Sequence, residues 1–374
     1  MMASTLPPPV WIDKPDKLSR ILPKLVSRSR LAVDTESNSL HAYREQVCLI
    51  QFSTSRKDYL LDPLELTDLS SLAPLFSDPG VEKIFHAVEY DIICLKRDFG
   101  FEVANIFDTM QSARILGYPQ FGLDSLLALK FGLTVDKRYQ KADWAYRPLS
   151  PEMLNYARLD THYLLSLRDM LQVELEAAGL WDLAREEFIR LAKLNGNSRI
   201  DVPAWQKVSG KQNLTDRQLT ILKALCDWRD NTARNLSRPP FKVVDDRRLI
   251  AVASSVPERL DDLSQALTDY QRRRFGNEIL HAVKQGLNAR LVNRPRPIRP
   301  RQIYLVRANA LSQWRKDTAG KMHLESDIIL PKAWMHGIAE KAPRTREELA
   351  PLMPDSPWRI EKFGDEILKV IANS

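Results

Sequence analysis

Cysteine is scarce in this chain: only Cys48, Cys94 and Cys226 occur among 374 residues. They are scattered, with no close pair of the kind that ligates zinc or forms a redox motif, so a cysteine-built metal site or disulfide scaffold is excluded. Cys48 and Cys94 lie within apolar runs and read as buried, reduced thiols, the usage of a reducing cytoplasm. No apolar run reaches the roughly 18 residues that cross a bilayer. The opening MMASTLPPPVW has neither the basic nor the apolar segment of a secretion signal, so a cytoplasmic protein without membrane association is expected. A G-x-x-x-x-G-K-[ST] phosphate loop is also missing. That excludes a nucleotide-driven helicase and, with it, a nucleotide cofactor.

What is present is the composition of a globular protein, 44% hydrophobic and 28% charged, at a length that suits two or three domains. The net charge of +7 conceals an asymmetry. Residues 1–205 carry 24 Lys+Arg against 28 Asp+Glu, whereas residues 206–374 carry 31 against 20, a net of +11. A basic half points to a polyanion, through the counterions its phosphates release on binding. A well-solvated surface is the plainer reading of the same numbers.

The first half reads as mixed α/β. Arg30–Glu36, Val47–Ser53 and Asp58–Leu61 are β-rich apolar runs in meander order, and Lys83–His86 is a further short strand leading into a helix over 87–97. Ser150 is a good N-cap with Pro151 behind it, and a single helix is predicted from there to Ala178, stopped by Gly179. The second half has no strand periodicity and contains a repeat. Leu225, Trp228, Arg229, Thr232, Ala233, Pro257 and Leu263 recur 86 residues later as Leu311, Trp314, Arg315, Thr318, Ala319, Pro343 and Leu349. After a two-residue shift, Phe275, Gly276, Glu278, Ile279 and Leu280 recur as Phe363, Gly364, Glu366, Ile367 and Leu368. Between the copies, the Arg/Pro-rich stretch 290–301 reads as an extended basic linker. The expected domains are 1–205, 206–292 and 293–374.

Chemistry is concentrated in the first half. In the LAVDTE strand, alternation puts Asp34 and Glu36 on one face, with Val33 and Thr35 on the other. Two adjacent carboxylates repel unless protonated or bridged by cations, although a strand-end cap or a surface charge would give the same pattern. Asp91 lies in a helical stretch that can project it toward the strand ends, although a single Asp in a helix is usually just solvated. Tyr156 and Asp160, four residues apart, share one helix face, a pairing that an ordinary amphipathic surface would also give.

The order D-x-E, a distant Asp, then Y-x₃-D resembles the tyrosine-type DEDD exonucleases. The histidine-type branch would place His at the position of Asn155; here Tyr156 follows the tyrosine pattern. VDTES with YREQVCLIQFST, IFHAVEYDI and YQKADWAYRPLSPEMLNYARLDTHYLL are similar to the ribonuclease D family, and the tail repeat resembles the helicase-and-RNase-D C-terminal (HRDC) domain, present twice. The resemblance implies an α/β ribonuclease-H-like exonuclease domain with a mixed central sheet, followed by two all-α HRDC-like domains. It implies a 3′→5′ exoribonuclease that releases nucleoside 5′-monophosphates, with two divalent ions, Mg²⁺ or Mn²⁺, held by Asp34, Glu36, Asp91 and Asp160. Oxygen ligands of this kind suit those hard ions rather than zinc. Tyr156 would orient the water or the scissile phosphate, since a phenol is a poor base near neutral pH. His86, Tyr90, Gln140, Trp144 and Arg147 are candidates for nucleotide and phosphate contacts, Trp144 and Tyr90 being equally readable as core. RNA, with tRNA precursors foremost, is the implied partner of a monomeric enzyme. A DNA-directed exonuclease and an inactive nucleic-acid-binding protein are the alternatives; the full carboxylate set argues against the second.

Overall fold

The computed structural model of the chain describes residues 6–194, 202–294 and 301–374. Six strands form one sheet in the order β1-β4-β3-β2-β5-β6. They are β1 Val10–Ile12, β2 Arg30–Ser37, β3 Val47–Ser53, β4 Asp58–Leu61, β5 Glu82–Phe85 and β6 Ile106–Asp108. The sheet is mixed: β3 and β4 pair antiparallel, while β2–β5, β5–β6 and β1–β4 are parallel. β3, VCLIQFS, is buried at every residue, as befits a strand with neighbours on both edges and cover on both faces. The two end strands have only three residues each, too few for a period-2 pattern to register, which is why the sequence did not reveal them.

Helices cover the sheet: α1 Pro15–Val26, α2 Ala73–Ser77, α3 Glu89–Phe99, α4 Thr109–Ile115, α5 Leu123–Phe131, α6 Pro151–His162, α7 Leu164–Ala177 and α8 Trp181–Ala192. The single helix expected from Ser150 to Ala178 is thus two, α6 and α7, interrupted at Tyr163. At the break His162 Nδ1 meets the Asp58 carboxylate at 2.9 Å, and the Tyr163 ring packs on Phe131 at 5.3 Å between centroids, so tertiary partners override a continuous helical sequence. The ends are as expected. The Ser150 side chain accepts from the Met153 N–H, and Gly179 takes a left-handed φ of +68° after α7.

The repeat proves structural as well as sequential. In the first copy Trp228 Nε1 donates to Glu278 at 3.0 Å, and Arg229 Nη1 donates to the Val244 carbonyl at 2.9 Å. In the second, Trp314 Nε1 donates to Glu366 at 2.8 Å and Arg315 Nη1 to the Leu330 carbonyl at 2.9 Å. Each tryptophan also stands edge-on to its repeat-related phenylalanine, Phe275 or Phe363. Of the basic linker, residues 295–300 lie outside the described residues.

By mutual contact the described residues form two compact units. One joins 37–46 to 202–294, with the Tyr43 hydroxyl donating to Asp230 at 2.8 Å. The other joins the α/β segment to 301–374. Within it the fully buried Arg359 donates to Glu186, to Glu187 and to the Ile328 carbonyl, each at about 3 Å. Gln271, at the position of Arg359 in the first copy, spends its amide on the Val243 carbonyl instead.

Candidate active site

The parallel strands β2, β5 and β6 end side by side, and ligand sites of open α/β sheets form beyond such carboxyl ends. Asp34 and Glu36 stand near the end of β2, His86 directly follows β5, and Asp108 closes β6. From the other side α6 supplies Tyr156 and Asp160, one turn apart. One carboxylate oxygen each from Asp34, Glu36 and Asp160 lies within 4.8 Å of the other two. The alternation argument for Asp34 and Glu36 therefore leads to a real cluster.

Asp91 stands outside that group of three. Its carboxylate is buried on α3 and accepts a 2.5 Å hydrogen bond from Thr35 Oγ1, the residue between Asp34 and Glu36. The delivery of Asp91 depends on Asp108. That buried carboxylate caps α4 through the Met110 and Gln111 N–H groups, and also accepts from the Ala87 and Val88 N–H groups ahead of α3. Ala87 takes a left-handed φ of +65°, a conformation costly to a residue with a Cβ and sustained here by those bonds.

Electrostatics mark the cluster. Burial, then the neighbouring Asp160 charge, pushes the Asp34 carboxyl well above its ordinary range; burial and the surrounding carboxylates do the same to Glu36, and burial with Asp34 to Asp91. Asp160 is pushed up to about 7 by burial and by Asp91. Burial, together with the Asp160 and Glu36 charges, raises Tyr156, so its phenol keeps its proton at neutral pH. Such a set is short of positive charge, and a divalent cation among the three convergent oxygens relieves it; the hard oxygen donors fit that role.

A cavity of about 310 Å³ opens onto these groups, lined by Asp34, Glu36, Asp160, Tyr156, His86 and Gln140. Thr35, Asp124 and Lys137 also face it, the last two joined by a 2.7 Å ion pair. The sequence reading passed over Asp124 and Lys137; the one available signal was a basic run, DKRYQK, between α5 and α6.

Three expected substrate contacts are not brought to this cavity. Arg147 spends all five of its N–H donors, on both Asp62 oxygens and on the carbonyls of Cys48, Trp144 and Tyr146. None is left for a phosphate. Trp144 is 1% exposed and packs beside Tyr156, ring centroids 6.0 Å apart, so it supports the tyrosine from behind rather than stacking on a base. Tyr90 is exposed on α3, off the cavity wall.

Comparison with known proteins agrees with this geometry. Residues 9–176 match the 3′-5′ exonuclease family, and residues 218–283 and 305–371 each match the HRDC domain. The architecture is thus an α/β 3′-5′ exonuclease domain followed by helical HRDC domains. Rat exosome complex component 10 is 36% identical over 257 residues, 65% of this chain and 28% of that protein; the yeast exosome complex exonuclease RRP6 is 33% identical over 67% of this chain and 36% of its own length. The chain therefore spans only about a third of these curated relatives. The solved structure of Escherichia coli RNase D, an exoribonuclease involved in structured RNA processing, is 25% identical with a TM-score of 0.69, covering 98% of this chain and 99% of that one. The catalytic core of RRP6 from Trypanosoma brucei is 26% identical with a TM-score of 0.65, covering 77% and 81%. Residues 9–176 thus form a 3′-5′ exonuclease domain, and over nearly its whole length the chain is similar to RNase D.

Proposed function

We propose that the protein is a metal-dependent 3′→5′ exoribonuclease that removes nucleoside 5′-monophosphates from RNA 3′ ends, tRNA precursors among them. The observation that carries this is the convergence of Asp34, Glu36 and Asp160 within 4.8 Å, in a domain of the 3′-5′ exonuclease family. Those three residues, with Asp91 beside them, would hold two divalent ions, Mg²⁺ or Mn²⁺. Such ions supply an activated water at neutral pH and neutralise charge on the leaving oxygen. Tyr156, protonated and lining the same cavity, donates a hydrogen bond to the water or the scissile phosphate and does not act as base. Lys137, fixed by Asp124 at the rim, offers a cation to the incoming backbone.

The residues beyond 206, with their net charge of +11, supply affinity for the body of a folded RNA. A ribonuclease D-like chain working alone in the cytoplasm as three domains, 1–205, 206–292 and 293–374, is the simplest organisation consistent with these parts. A time course on a 3′-extended tRNA, an unstructured RNA and single-stranded DNA of equal length tests the reading. The expected order of rates is the extended tRNA first and DNA last. DNA cleaved as fast as both RNAs would favour the DNA-directed alternative.

A further inference from the structure

We propose that His86 is a hydrogen-bond acceptor for a hydroxyl of the 3′-terminal ribose, and so helps the site select the sugar it cleaves. The inference rests on the exoribonuclease reading for its ligand, but its geometry stands independently. His86 Nδ1 lies 2.9 Å from Thr109 Oγ1, and the Thr109 hydroxyl donates its one proton to the Phe85 carbonyl at 3.0 Å. Thr109 Oγ1 therefore accepts from His86, which places the ring proton on Nδ1 and leaves a lone pair on Nε2. Burial holds the imidazole down to about 4, so the ring stays neutral at physiological pH despite the Asp124 charge nearby. Both Phe85–Thr109 and the Ala87 and Val88 bonds to Asp108 fix the backbone around it.

The ring faces the same cavity of about 310 Å³ as the carboxylates. A neutral acceptor there repels phosphate oxygens, so of the nucleotide and phosphate contacts open to His86 from the sequence, the nucleotide contact is the one that suits it. It requires a donor from the ligand. With the scissile phosphate at the carboxylates, the attached ribose is the next group in reach, and its donors are the 2′- and 3′-hydroxyls.

The test pairs ligand and protein changes. Calorimetric binding of AMP, 2′-deoxy-AMP and 3′-deoxy-AMP, in Mg²⁺, is compared for the wild type, His86→Phe and His86→Ala. Kinetics are run in parallel on RNA ending in the same three sugars. For one hydroxyl, its removal should weaken the wild type by about tenfold, the range of one neutral hydrogen bond, and should cost both variants little. That coupling should be flat between about pH 6 and 8, because the ring does not titrate there. Equal losses in wild type and variants for both deoxy sugars, or a loss confined to the variants, would overturn the assignment. His86→Phe keeps the ring's bulk if His86→Ala melts early. Coupling in the binding data from a protein that never releases nucleotides would leave the His86 assignment standing and sink the exoribonuclease reading instead.

Discussion

At the scale of single residues, the carboxylate cluster stores repulsion that a cation releases. Groups whose folded pKa is raised favour the folded state while protonated; that contribution is full below the ordinary carboxylate range and is lost as pH rises through the raised values, about 7 for Asp160. In chelator, Asp160→Asn should therefore melt above the wild type at about pH 8, with the gap closing toward about pH 5. Added Mn²⁺ should reverse the order, stabilising the wild type increasingly as pH rises and leaving the variant nearly unmoved. Melting curves with chelator and with Mn²⁺ across that range decide it; a wild type unresponsive to Mn²⁺ at high pH would remove the cation from the account.

At the scale of elements, what could be read from the sequence was what short-range pattern dictates. Alternation along β2 placed Asp34 and Glu36 together, and helix periodicity placed Tyr156 over Asp160. Long-range partners were invisible: nothing local to Arg147 announces Asp62, 85 residues away, as the acceptor that turns it from substrate contact to structural pin. Thr35 was assigned to the face away from the carboxylates, yet its hydroxyl joins β2 to Asp91, 56 residues on. The same blindness hid Asp108, whose four backbone donors come from two separate turns. Arg147→Met should cost about 3–5 kcal/mol, because Asp62 is 1% exposed and would be left as an unpaired buried charge. Denaturant titration measures this. A loss of RNA affinity with stability intact would return Arg147 to the substrate.

At the scale of the molecule, the two HRDC copies share their internal bonds but not their surroundings. The second packs with the α/β segment in one compact unit through Arg359, Glu186 and Glu187, and Arg114 adds ion pairs to Glu325 and Asp327. Cutting the chain near residue 205 would strand the buried Glu186, while Glu187 keeps its pair with Arg190, so an isolated exonuclease domain is a poor test of the basic half. Arg359→Met should destabilise the protein by about 3–5 kcal/mol for that reason. Adding Glu186→Gln to it should restore much of the loss, since a neutral amide is cheaper to bury than an unpaired carboxylate, whereas Glu187 keeps Arg190 as its partner. A double variant no more stable than Arg359→Met would show that packing, not charge pairing, holds the unit together.

The central claim is that Asp34, Glu36 and Asp160 make a metal-dependent site that removes one nucleotide at a time from a 3′ end. Its most direct test follows 5′-end-labelled RNA under single-turnover conditions with wild type and Asp34→Asn, in Mg²⁺ and in chelator, with the released product identified by chromatography. The wild type in Mg²⁺ should give a ladder shortening in single-nucleotide steps, with nucleoside 5′-monophosphates as product. Chelator or Asp34→Asn should stop it while the protein stays folded. Internal fragments, nucleoside 3′-monophosphates, or undiminished cleavage by Asp34→Asn would contradict the account.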